Sequence, residues 1–461
     1  MLSHLRIQNF KSWRDTGDIQ IGVLTAFFGA NSTGKSALLR FLMMLKQTVE
    51  SNDHHQVLQT GDRHSYVDVG TFFDFIYRRD PSNDLEFELG LAWGDLSGEQ
   101  KGEESIFPRV ERFKTTVGLQ GQELVQRSFT YSPIYSISGN EPFEPITIHA
   151  NNSMVSLTLH GLAEPMQHLP LMDVAKSSRK FYSQLAQYDF ASVARGLQIE
   201  DNQQLSYIRH ALENMYFWHD NIEQLFTHTY YLGPLRESPE RIYVWGGQAP
   251  QDVGRRGENT VAVLLSERGR EIQATIAQLL IDMGLIHSFQ VDPIAAGRRE
   301  YEVLIQITSH APLVPLTDVG AGLAQVLPVL VLCWYVPDGS IVILEQPELH
   351  LHPRAQYALA DVLIRATQER GVQIILESHS EHLLTRMQRR IAEGGIAADA
   401  VQLYFTTLDA EGTSQLGKLV LDAYGNISNF PPDFFGNDLK ELSAMLDAEL
   451  ERRGIAADTH V

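Results

Sequence analysis

Residues 29–36 read GANSTGKS, set between an apolar run, Val23 to Phe28, and a segment of helical composition. No other feature restricts the fold as much. Gly29 and Gly34 allow a tight turn in which successive backbone N–H groups face one point. From Ser36 to Val49, the leucines Leu38, Leu39, Leu42 and Leu45 fall on one apolar stripe, so the loop opens a helix and gains the positive end of its dipole. Strand, loop and helix in that order form the setting in which GxxxxGKS binds phosphate. The candidate phosphate-binding residues are therefore Gly29, Ala30, Asn31, Ser32, Thr33, Gly34, Lys35, Ser36 and Ala37. Lys35 would bridge the β- and γ-phosphates and Ser36 would ligand Mg²⁺, with ATP the expected nucleotide. The loop by itself does not choose among kinases, GTPases and ABC-type ATPases.

The second half of the chain supplies what the loop lacks. Ile341–Leu344 is a continuous apolar run, as expected of a parallel strand covered on both faces, and it ends in Glu345. An acid there is the other half of a phosphate-loop site, holding Mg²⁺ through water. Helices are expected from Pro353 to Arg370 and from Glu381 to Ala392, with strands at Val372–Leu376 and Val401–Thr406. His379 falls just beyond the first of these strands, where open α/β sheets bind ligands. It could hydrogen-bond the γ-phosphate or the attacking water. In DVGAGLAQ, Asp318 to Gln325, Gly320 and Gly322 precede a helix and would present backbone N–H groups to an anion.

Between these halves the character changes. From about Asp95 to Leu162, alternating stretches broken by Gly, Pro and Asn suggest antiparallel hairpins, and residues 170–228 look helical. The expected organisation is an α/β nucleotide domain in two parts. Residues 1–94 carry the loop, 95–230 form a β-hairpin plus helical insertion, and 231–461 complete the domain and extend it at the C-terminus.

The chain has 461 residues and a net charge of −20, which disfavours indiscriminate attraction to nucleic acid or anionic lipid. A single cysteine, Cys333, lies in an apolar run and reads as a core residue; no disulfide framework follows from it. The N-terminal MLSHLRIQNF lacks the apolar core of a secretory signal. The most apolar stretch, Val326 to Val336, is too short to cross a bilayer. A soluble cytoplasmic protein with no membrane partner is expected.

Together these segments resemble the ABC-class ATPases of the RecF, SMC/Rad50 and OLD group. LRIQNFKSW before the GKS loop is similar to the group's N-terminal signature. LEQPELHLHP is similar to its Walker B segment, ESHSEHLL to its histidine switch, and DVGAGLAQVLP to its signature helix. YLGPLRESP, VGRRGE and FPPDFF resemble a narrower set, bacterial predicted ATPases with a C-terminal domain of unknown function. The resemblance implies an ABC-type P-loop fold and a site shared between two protomers. One would supply Lys35, Ser36, Glu345 and His379, and the other Gly320 and Gly322 to cap the γ-phosphate. One GKS loop and one signature per chain then require a dimer or higher oligomer.

Three departures from the group stand out. The usual Asp-Glu pair is Glu345-Gln346 here, so Gln346 takes the general-base position, where glutamine cannot accept a proton. Either Gln346 orients water or Glu348 serves as base, and slow turnover follows. Ala324 stands where many relatives have serine. Gln59 and Asp68 both compete for the Q-loop position. His350 and His352 alternate as metal ligands do, yet read better as a dimer-facing loop. Arg78-Arg79, Arg255-Arg256 and Arg389-Arg390 are basic pairs, the last a solvated helix face, and Arg236 is placed to approach nucleotide or a partner. Relatives include ATPase subunits of bacterial anti-phage systems. The expected function is an ATP-driven switch governing a separate effector such as a nuclease. The alternative is a RecF-like ATPase binding DNA.

Overall fold

The computed structural model describes residues 1–53, 55–92, 110–133, 146–151, 154–159, 180–181, 219–431 and 445. An antiparallel sheet takes in β1 (Leu2–Phe10), β2 (Trp13–Asp15), β3 (Ile19–Gln20), β5 (Leu85–Ala92), β6 (Val110–Gln120), β7 (Glu123–Pro133), β8 (Ile146–Asn151) and β9 (Met154–Leu159). Its order is β2-β1-β5-β6-β7-β8-β9, with β3 paired to β1. The hairpins from residue 110 onward are hydrogen-bonded to β5 and so extend the sheet that the N-terminus begins. Most of the expected helical stretch 170–228 lies outside the described residues, as do nearly all of residues 432–461.

A second sheet holds β4 (Leu24–Gly29), β10 (Thr229–Leu232), β15 (Ile341–Glu345), β16 (Gln373–Glu377), β17 (Val401–Leu408) and β18 (Ser414–Leu419), in the order β10-β15-β16-β4-β17-β18. All neighbours are parallel except β17 and β18. Side chains alternate across a strand, and these strands are buried on both sides, so each divides its residues between two cores. Ile341, Ile343 and Ile375 join one core, while Val342, Leu344, Ile374 and Leu376 join the other.

The first core is filled by α1 (Lys35–Glu50), which sits between the two sheets and is buried at every position from Leu38 to Val49 except Arg40, and by Phe72 and Phe75 of the short α2 (Phe72–Phe75). Phe41 packs edge-on against Phe10 of β1 at 5.2 Å and against Phe87 of β5 at 5.1 Å. Even Lys46 is inside, its ammonium donating to Glu50 Oε1 at 2.5 Å and to the Phe226 carbonyl at 2.9 Å. The second core is covered by α3 (Thr260–Leu265), α4 (Glu267–Asp282), α5 (Ala321–Tyr335), α6 (Pro353–Arg370) and α7 (Glu381–Ala392). A small third sheet made of β11 (Tyr243–Val244), β12 (Ser288–Pro293), β13 (Glu300–Gln306) and β14 (Val314–Pro315) leans on the same core.

The run from Val326 is helix α5, with Pro328 inside it. The proline ring is accommodated by Gly257, at φ 78°, where a Cβ would come within 2.7 Å of Pro328 Cγ. Cys333 is fully buried in this helix. Among the described residues, no helix is long and apolar enough to cross a membrane.

Candidate nucleotide site

The parallel strands end together, and their carboxyl ends carry the site. β4 runs straight into the GANSTGKS loop, and register places Glu345 beside Glu377 and Glu377 beside Phe27. Gly29 has φ 141°, and a Cβ there would stand 2.5 Å from the Thr406 carbonyl of β17. Gly34 has φ 96°, with Ser414 Oγ 2.6 Å and Trp13 Nε1 2.8 Å from where a Cβ would lie. Both positions need glycine. Trp13 Nε1 donates to the Gly34 carbonyl at 3.0 Å, and Thr33 Oγ1 donates to Ala30 O at 2.9 Å, so the loop is tied down on two sides. Thr33 and Thr406 also join through their hydroxyls. Ala30, Asn31 and Ser32 stay exposed, and Ser36 and Ala37 are half-buried at the helix start.

Lys35 is 3% exposed and its Nζ donates to the Gly29 carbonyl at 2.9 Å and the Ala30 carbonyl at 2.6 Å. The ammonium therefore lies across its own loop. Burial holds it below the ordinary lysine range, against the pull of Glu377 and Glu348. Two buried carboxylates, Glu377 and Glu348, act on this cation, and a third, Glu345, lies beside Glu377 in register. Glu345 Oε1 accepts from the Tyr231 hydroxyl at 2.7 Å, and burial pushes its carboxyl up to about 7. Glu348 Oε1 accepts from the His379 N–H at 2.8 Å, and burial raises this carboxyl too. Oε2 of Glu348 and Oε2 of Glu377 are buried with no hydrogen-bond partner. Buried polar oxygens left bare imply an incoming partner. His379 closes the group: its Nε2 is 4.0 Å from Glu377 Oε1, it bonds to the backbone of Gly29, and burial followed by Lys35 lowers its pKa.

Gln346 follows Glu345 in a left-handed conformation, φ 47°, and its N–H donates to the Glu377 carbonyl at 2.9 Å. The chain turns an elbow there, which carries it from β15 to Glu348. Arg236 secures the elbow, donating to the Glu345 and Gln346 carbonyls at 2.9 Å each. Gly320 caps α5, and Gly322 lies against the elbow's far end, where a Cβ would meet the His350 carbonyl at 2.7 Å. Among the described residues, no hydrogen bond or ion pair joins Gly320 or Gly322 to Lys35, the carboxylates or His379.

His352 caps α6, its Nδ1 accepting from the Arg354 N–H at 3.3 Å, and His350 is exposed at φ 64°. Gln59 is held at the far end of α1, its carbonyl accepting from Gln47 Nε2 and its N–H donating to Thr48 Oγ1, both at 2.7 Å. Thirteen helical residues separate Thr48 from Lys35, about 20 Å at 1.5 Å per residue, so Gln59 does not reach the loop. Arg389 and Arg390 pair with Glu393, and Arg390 also with Asp361, as a solvated face requires. Reading the sequence assigns no role to Tyr231, to Glu377 or to Arg40, whose Nε lies 4.0 Å from Glu345 Oε1. Glu377 carries the same signal as Glu345, an acid closing an apolar strand; Tyr231 carries none.

A magnesium ion at such a loop is held by one or two side chains together with phosphates and water. Among the described residues, no three or more His, Cys, Asp or Glu side chains are grouped to hold a metal by themselves. The Ser36 hydroxyl at the helix start and the Glu345 carboxylate at the strand end are the oxygen donors that would hold it, a number and type that fit such an ion.

The strand, phosphate loop and helix at this sheet edge are those of a P-loop ATPase. Residues 178–385 match the family model described as "AAA domain, putative AbiEii toxin, Type IV TA system", and residues 396–445 match the protein of unknown function family DUF3696. Over residues 178–385 the chain is thus similar to AAA-domain ATPases. No curated protein sequence matches it. Similar solved structures include an SmcHead bound to the C-winged helix domain of ScpA, at 10% identity and TM-score 0.42, covering 92% of this chain and 98% of that one. They also include the SMC head domain from Thermotoga maritima, at 12% identity and TM-score 0.39, covering 91% and 99%.

Proposed function

We propose that the chain is a slow ATPase that works as a switch: ATP joins two copies, hydrolysis parts them, and the joined state acts on a separate effector. The observation that carries this reading is the division of the site. Lys35, Glu348, Glu377 and His379 gather around one loop, while Gly320 stands in open space and Gly322 sits against His350, and neither glycine makes a described bond to that group. A second copy's glycines would then complete the site over the γ-phosphate.

In the proposed reaction Lys35 exchanges the Gly29 and Ala30 carbonyls for the β- and γ-phosphate oxygens, which it reaches without leaving the loop. Ser36 and Glu345 would hold Mg²⁺, which supplies charge neutralisation at the phosphates. Gln346 orients the attacking water but cannot take its proton. Glu348, with a bare Oε2 in a buried setting that raises its affinity for a proton, takes it instead. His379 lies between Gly29 and Glu377, where it would hydrogen-bond the γ-phosphate.

The effector reading draws support from the matched family, whose description names a toxin and a type IV toxin–antitoxin system. In that setting the chain is the sensor in a bacterial defence system and a cytoplasmic neighbour, such as a nuclease, is the executing enzyme. Purified chain should hydrolyse ATP with turnover abolished by Lys35→Ala, and a partner protein should co-purify in an ATP-dependent manner. ATP-dependent, salt-sensitive duplex DNA binding with no protein partner would instead favour a DNA-maintenance role.

A further inference from the structure

Arg236 is a buried cation, 6% exposed, at the carboxyl end of β10. β10 pairs with β15 only as far as Leu232 beside Leu344. Past that point the chain turns through Gly233-Pro234-Leu235, and the strand no longer offers N–H groups to the carbonyls of Glu345 and Gln346. The guanidinium takes the strand's place. Nη2 donates to Glu345 O at 2.9 Å, and Nη1 donates to Gln346 O at 2.9 Å and to Pro234 O at 3.3 Å. From the opposite side Glu377 O accepts the Gln346 N–H at 2.9 Å. A left-handed glutamine is thus stapled from both sides, as strained backbone at a functional site must be.

The same segment also orients the Glu345 side chain, through the Tyr231 hydroxyl at 2.7 Å. It is itself anchored by two backbone bonds, Gly233 N–H to Arg255 O at 2.9 Å and Glu237 N–H to Arg256 O at 2.8 Å. Arg236 forms none of the described ion pairs, its Nε has no partner, and the acids nearest to it in charge interaction are Glu348 and then Glu345. A cation buried without a close counter-ion is costly, and an apolar side chain would fill the space more cheaply.

We propose that Arg236 is a positioning residue of the ATPase reaction, which clamps the Glu345 and Gln346 carbonyls and thereby sets the elbow from which Gln346 and Glu348 reach the water and the γ-phosphate. This rests on the ATPase assignment of the site. It differs from a nucleotide contact, because the guanidinium holds backbone oxygens. It also differs from simple space-filling, because only a planar fork spans two successive carbonyls.

The test is steady-state ATP hydrolysis, Mg–MANT-ATP binding and thermal melting of the full-length chain and of Arg236→Lys and Arg236→Met. Both variants are expected to melt within about 5 °C of the parent and bind Mg–MANT-ATP within about threefold. Both should lose about 30-fold or more in kcat, with lysine failing to rescue. A folded variant that keeps kcat within about threefold overturns the proposal. So does a rise in KM and in the MANT-ATP dissociation constant of about tenfold with kcat retained, since Arg236 would then contact nucleotide. If methionine does not fold, lysine decides by the same readouts, and failure of both to fold makes the residue structural and overturns it. Failure of the underlying assignment looks different: Lys35→Ala would then be indistinguishable from the parent.

Discussion

At the scale of single residues, the site is a buried cation with buried carboxylates beside it, and its members have distinct expected phenotypes. Lys35→Ala removes the buried ammonium at the loop and should weaken ATP binding about 100-fold, measured by calorimetry with ATP and Mg²⁺. Glu348→Gln should leave binding within about threefold and lower kcat about 100-fold, the signature of a group acting only in the chemical step. Gln346→Glu restores a second carboxylate at the elbow and should raise kcat about tenfold; unchanged turnover would mean that Glu348 already suffices. Glu345 gives a pH test in the nucleotide-free chain. Its folded-state pKa is about 7 against an ordinary 4.5, so the folded chain keeps this proton where the unfolded chain has released it. Stability tied to Glu345 is present below about pH 4.5, declines as pH rises toward 7, and is absent above. Glu345→Gln should accordingly melt about 5 °C above the parent at pH 8 and show little gain at pH 4.5. A gain of equal size at both pH values would contradict burial of an ionised Glu345.

At the scale of elements, what the sequence makes legible is what local periodicity encodes. The helices Pro353–Arg370 and Glu381–Ala392 carry an amphipathic period and clear stops, and they fold with those bounds. The apolar strands with an acid at the end are visible for the same reason. Helix α5 is not so plain, because its apolar residues cover every face and Pro328 interrupts it; only Gly257, some 70 residues away, makes the proline tolerable. Roles assigned by long-range pairing are equally hidden. Nothing local in TYYLGPLR shows that Tyr231 and Arg236 meet Glu345 more than 100 positions later, because parallel pairing of β10 with β15 brings them together. His352 shows the converse: its alternation with His350 suggests a metal, but the imidazole caps a helix. Gly322→Val is the element-level test. Its side chain would strike the His350 carbonyl, which backbone cannot yield, so the start of α5 should lift from the elbow. The expected result is a melting point several degrees lower together with lost ATP-dependent self-association; normal values of both would refute the contact.

At the scale of the whole molecule, two sheets enclose α1 and the parallel one brings four segments spread over 350 residues to a single edge. The sequence reads well on that edge because each strand announces its own end. It says little about how the loop and the signature face one another, since that depends on a second copy. The central claim is that ATP joins copies through the signature. Sedimentation of the full-length Glu348→Gln chain, with and without ATP and Mg²⁺, tests it most directly. The expected result is a mass that doubles with ATP and returns to that of the nucleotide-free chain when Lys35→Ala is added to the same protein. An unchanged mass at saturating ATP, in a chain shown to bind it, would contradict the account.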